Sequence, residues 1–75
     1  MATPNLRNLL TPAEKEVVQE LIKSPKPKSI SLALNITVYT VTDHLKSIRK
    51  KLGVKSTSEL IIFVFNNAKE LEVDL

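Results

Sequence analysis

Cysteine is absent from this 75-residue chain, so neither disulfides nor thiolate metal sites can staple it. Histidine occurs once, at His44. With no second imidazole or thiol it completes no metal-ligand set, and on a helix its neighbour Asp43 points elsewhere. A packing or hydrogen-bonding role is expected for it. The single glycine, Gly53, leaves no glycine-rich loop to cradle a phosphate. No paired carboxylates share a face and no nucleophile stands beside a base, so an enzyme is not expected, nor any cofactor or metal. No apolar run approaches the roughly 20 residues of a membrane span. The opening Met-Ala-Thr-Pro-Asn-Leu-Arg-Asn carries no apolar secretion core. A soluble protein of the cytoplasm, not associated with membrane, is the expectation. A chain this short buries only about 60% of its unfolded surface, so helix packing or self-association must supply the stability.

What is present is unevenly charged. The net charge of +3 is mild. Residues 1–22 set Arg7 and Lys15 against Glu14, Glu16 and Glu20, a net −1. Residues 23–55 set Lys23, Lys26, Lys28, Lys46, Arg49, Lys50, Lys51 and Lys55 against Asp43 alone, a net +7. Residues 56–75 set Lys69 against Glu59, Glu70, Glu72 and Asp74, a net −3. A cationic middle between acidic flanks points to a polyanionic partner more strongly than the overall charge does.

That middle contains the most regular stretch in the chain. Val38, Val41, Leu45, Ile48 and Leu52 recur at alternating steps of three and four, one stripe of a helix over 38–52. Thr37 suits its N-cap. Gly53 stands where a helix end needs a left-handed residue, and Val54 is placed to fold back onto Ile48. Opposite the stripe lie Tyr39, Asp43, Lys46 and Lys50, flanked by Thr42 and Arg49 on one side and by Thr40, Ser47 and Lys51 on the other. Such a face carries polar groups able to reach base edges, with cations at the margins for phosphates.

Three further helices are expected. Thr11, Pro12 and Glu14 form a capping box with proline at the first helical position, opening a helix over 12–23 whose inner face is Val17, Val18, Leu21 and Ile22. Pro25 disfavours helical geometry at Ser24 and ends it. Pro27 opens a short helix over 27–34, with Ile30, Ala33 and Leu34 inward. Asn35 is suited to a left-handed turn and Ile36 to plugging that turn into the core. Two helices joined so closely, the second capped by threonine, match a helix-turn-helix. Ser56 and Glu59 form another capping box for a helix over 57–69. Its run Leu60-Ile61-Ile62-Phe63-Val64-Phe65 is β-rich in composition, yet the caps and the lack of a partner strand favour helix. Leu60, Ile61, Val64 and Ala68 share one face. Ile62 and Phe65 fall on another, along the row of Ser58 and Lys69, and a second apolar face in so small a domain calls for a partner. Residues 1–9 read as a flexible lead-in, although Leu6, Leu9 and Leu10 could dock. Residues 10–69 read as the domain, and 70–75 as an acidic, fraying tail.

Taken together, Leu10-Thr11-Pro12-Ala13-Glu14-Lys15-Glu16-Val17, then Ile30, Leu34, Ile36, Thr40-Val41, His44, Ile48, Lys51-Leu52-Gly53-Val54-Lys55-Ser56 and Glu59-Leu60 resemble the LuxR-type helix-turn-helix domain over about residues 10–68. The resemblance implies an all-α, four-helix domain of a bacterial transcription regulator. Its third helix would enter the DNA major groove and its fourth would form a homodimer. Carried over position by position, Thr42, Asp43 and Lys46 would contact bases, and Lys28, Tyr39, Thr40, Arg49 and Lys50 the backbone. Ser58, Ile62 and Phe65 would lie at the dimer interface, and a two-fold dimer would read an inverted repeat. A stand-alone member without a sensor domain is expected, its activity following its abundance or a protein partner. The chain departs from the family pattern at Ala13 (usually arginine), at Ser24 and Lys26 (usually glycine and a small cap), and at Ser29-Ile30-Ser31 (usually glutamate-isoleucine-alanine). These touch the second helix more than the binding face. Asp43 is the sharpest departure, because a carboxylate at a DNA-facing position repels phosphate. Asp43 and the acidic tail also support an alternative, in which the domain serves as a protein-interaction module on RNA polymerase or another regulator.

Overall fold

Thr11 begins the fold by accepting from the Glu14 N–H at 3.1 Å while its own N–H donates to the Glu14 carboxylate at 2.9 Å. This reciprocal cap opens α1, Pro12–Lys23, in a computed structural model that describes residues 8–75. Four more helices follow: α2 (Pro27–Leu34), α3 (Val38–Leu52), α4 (Thr57–Asn66) and α5 (Ala68–Leu71). No strand occurs among the described residues, and the all-α helix-turn-helix architecture is as expected. Of the lead-in, residues 1–7, Leu6 included, lie outside the described residues. Leu9 is half-buried and Leu10 is in the core.

Two left-handed residues set the path through the centre. Asn35, at φ 55°, ends α2, and the Ile36 N–H reaches back to the Ser31 carbonyl at 3.0 Å. Gly53, at φ 71°, ends α3, and the Val54 N–H donates to the Arg49 carbonyl at 3.0 Å. Both closures satisfy a terminal carbonyl and fold the next apolar side chain inward. A Cβ at Gly53 would meet nothing, so the need there is for the backbone angle and not for space.

Three helices, α1, α2 and α3, pack on one another, and α4 closes over α1 and α3. The core is Leu10, Val17, Val18, Leu21, Ile30, Val41, Leu45, Ile48, Leu60, Val64, Leu71 and Val73. Each such side chain contributes about 1.5–3 kcal/mol by leaving water. Two stripe assignments differ from the sequence reading. Val38 is 43% exposed, because the first turn of α3 precedes the point where the helix meets the core. Ala33 is also exposed, one residue round from the half-buried Leu34.

The C-terminal end departs from expectation more strongly. The helix expected over 57–69 breaks at Asn67, whose side-chain amide donates to the Phe63 carbonyl at 2.9 Å. The Asn67 N–H, shared between the Phe63 and Val64 carbonyls, meets the same acceptor. Asn67 itself leaves helical geometry, at φ −128° and ψ 23°, and a single turn, α5, restarts at Ala68. Glu72 then adopts φ 60°, and the Val73 N–H bonds the Ala68 carbonyl at 2.9 Å. Residues 70–75 therefore do not form a fraying tail. Leu71 and Val73 are buried, and Gln19 pins Asp74 through both its backbone groups, at 2.6 and 2.9 Å. Lys15 adds an ion pair to Glu72 at 2.9 Å.

Candidate nucleic-acid interface

The outer face of α3 is set by how firmly its inner face is held. Val41 and Ile48 are fully buried and Leu45 nearly so, which fixes the rotation of the helix about its axis. At the N-terminal end the Thr37 hydroxyl accepts from the Thr40 N–H at 3.0 Å and meets the Thr40 hydroxyl at 2.8 Å.

A third anchor was not legible from sequence. Glu14, buried at the start of α1, receives the Lys51 ammonium at 2.6 Å and the Ser47 hydroxyl at 2.8 Å. Ser47 and Lys51 stand four apart, one turn of α3. A shared partner is compatible with that spacing, but only the packing of α1 against α3 names it. Burial pushes the Glu14 carboxyl up. The hydrogen bonds from Lys51, the Thr11 backbone and Ser47, together with the Lys51 charge, outweigh burial and hold it below its ordinary value. One carboxylate thus caps α1 and clamps the last two turns of α3.

With α3 so fixed, Tyr39, Thr42, Asp43, Lys46 and Arg49 line one shallow concave surface. Tyr39 is 80% exposed, Thr42, Asp43 and Lys46 are exposed, and Arg49 is half-buried. The Thr42 hydroxyl donates back to the Tyr39 carbonyl at 2.9 Å. The side chains of Asp43, Lys46, Arg49 and Lys50 enter no hydrogen bond or ion pair among the described residues. Lys50 is exposed beside this surface, and Thr40 is half-buried with its hydroxyl engaged in the cap. Lys28 stands apart on α2, exposed near an N-terminus that no side chain caps. His44 is half-buried.

Ser58, Ile62 and Phe65 are exposed along α4, the two apolar ones by 62% and 52%. Phe65 also borders a groove with Ile22 and Leu75. Leu32 on α2, which the sequence reading passed over, is 74% exposed.

Two helices joined through Asn35, Ile36 and Thr37, the second held on a common core with an open cationic and polar face, define a helix-turn-helix domain. The chain belongs to the luxR family of bacterial regulatory proteins, which it matches over residues 8–64. This is a family of DNA-binding transcription regulators and not of enzymes. The chain is 37% identical over 54 residues to spore germination protein GerE of Bacillus subtilis (strain 168), with 72% of this chain and 73% of GerE covered. It is 33% identical over 58 residues to transcriptional regulatory protein MctR of Rhizobium johnstonii, covering 77% of this chain and 27% of MctR. The chain therefore spans about three-quarters of one relative and about a quarter of the other. No solved structure matches it significantly. No helix among the described residues is long and apolar enough to cross a membrane.

Proposed function

We propose that the protein regulates transcription by binding double-stranded DNA sequence-specifically, with α3 in the major groove. Two copies, joined through α4, would read an inverted repeat. The observation that carries this reading is the α3 face, where the unpaired charged side chains of Asp43, Lys46 and Arg49 share one concave surface with Tyr39 and Thr42. In that role Thr42, Asp43 and Lys46 reach base edges, while Tyr39, Arg49 and Lys50 meet the sugar-phosphate backbone and Thr40 approaches it from the first turn. Lys28, with the uncapped N–H groups at the start of α2, suits a phosphate on the flanking strand. Ser58, Ile62 and Phe65 provide the two-fold contact. Such a protein acts among the DNA of the cytoplasm.

The exposed Leu32 favours a second reading, in which the domain is a protein-interaction module that meets RNA polymerase or another regulator through α2 in place of binding DNA. Salt separates the two. Binding of a fluorescent duplex should weaken linearly with salt on logarithmic axes, by about 0.9 per phosphate neutralised. A domain serving only as a protein-interaction module would show no duplex binding at low salt.

A further inference from the structure

The base that Asp43 selects follows from the chemistry of its carboxylate and its place on α3. Asp43 stands in the second turn of the helix, exposed, on the concave surface formed with Tyr39, Thr42, Lys46 and Arg49. Four cationic side chains, Lys46, Arg49, Lys50 and Lys51, follow it on the same helix, yet Lys51 is taken by Glu14 and Asp43 pairs with none of the four among the described residues. No neighbour neutralises the carboxylate before DNA arrives. In a groove walled by phosphates an unpaired carboxylate is repelled unless the base edge in front of it donates a hydrogen bond.

Only two bases present a donor in the major groove. Adenine sets its N6 amine beside the N7 acceptor, so the second carboxylate oxygen would face a lone pair. Guanine offers N7 and O6, both acceptors, and thymine offers O4 beside a methyl group. Cytosine offers the N4 amine beside a C5–H edge, with no competing acceptor on its own ring. Resting on the groove reading above, we propose that Asp43 makes a cytosine obligatory at one position of each half-site, by accepting from its N4 amine. The same carboxylate lowers affinity for DNA that lacks cytosine there, so it raises specificity at the expense of affinity. Lys46, three residues on and about 4.5 Å further along the helix axis, then falls near the neighbouring base pair. There its ammonium can donate to guanine or thymine acceptors.

Selection from a pool of duplexes with a randomised core tests this, using the full chain and its Asp43→Asn and Asp43→Ala variants, each shown to be folded by circular dichroism. The parent should enrich a fixed cytosine in each half-site and lose about tenfold or more in affinity when it is replaced. Asp43→Asn should shift that one position toward adenine, whose N6 and N7 match an amide, and bind unrelated DNA more tightly. Asp43→Ala should leave the position without preference. A parent that selects a motif retained unchanged by both variants overturns the cytosine assignment and leaves the groove reading intact. Equal weakening of both variants on every duplex also overturns it, and makes Asp43 an orienting partner of Lys46. A parent that binds no duplex defeats the groove reading itself, and the assignment with it.

Discussion

At the scale of the residue, Glu14 carries more than its place in a capping box suggests. Its carboxylate satisfies the first turn of α1 and holds Ser47 and Lys51 of α3. Because its folded pKa lies below the ordinary 4.5, the folded protein binds that proton less tightly than the unfolded chain does. The stabilisation is therefore fully present above the unfolded value and is lost as pH falls through the depressed folded one. Glu14→Gln should melt below the parent at neutral pH, and the gap should close on acidification. A gap that stays constant through the acid limb means the charge adds nothing. On the outer face, Lys50→Ala should weaken binding about equally on all duplexes and lower the salt slope by roughly one unit. Lys46→Ala should cost about 1–3 kcal/mol at the favoured site and relax one base pair. Parent-like binding by both variants would remove α3 from the groove.

At the scale of the element, α4 has two apolar faces with different fates. Leu60 and Val64 are fully buried, whereas Ile62 and Phe65 stand largely in water. Covering such a side chain contributes about 1.5–3 kcal/mol, and in the proposed dimer each would count twice across the two-fold axis. The double change Ile62→Ser and Phe65→Ser should convert a dimer to a folded monomer with weaker DNA binding, since two half-sites would no longer be held by one particle. Leu60→Ser should unfold the domain. Sedimentation with circular dichroism decides between them. A double variant that remains dimeric, or unfolds like the Leu60 change, would place the interface elsewhere.

For the whole molecule, the end of the chain behaves as a strap that completes the core. Val73 is buried against the bundle, and the strap is tied by Gln19 and Lys15 of α1. Deleting residues 72–75 should cost about 2 kcal/mol from Val73 alone. In a domain of this size that corresponds to a fall in melting temperature on the order of 10 °C. An unchanged melt would show that the strap contributes nothing.

Periodicity and capping alone determined α1, α2 and α3 and the start of α4, because those signals are local. Thr11 with Glu14, Thr37, Asn35, Gly53 and Ser56 with Glu59 each act within a few residues of themselves. The open face of α3 followed from the same periodicity, since the residues opposite a buried stripe must face water. The break at Asn67 escaped because a side-chain amide folding back onto the Phe63 carbonyl leaves no trace in the hydrophobic pattern. The packed tail escaped because Glu70-Leu71-Glu72-Val73-Asp74-Leu75 looks like an acidic, fraying end until Gln19, 55 residues away, supplies partners for Asp74. Glu14 stayed hidden as a clamp for the same reason. Its cap partner is three residues away and legible, whereas Ser47 and Lys51 lie 33 and 37 residues on, and only the packing of α1 against α3 brings them together.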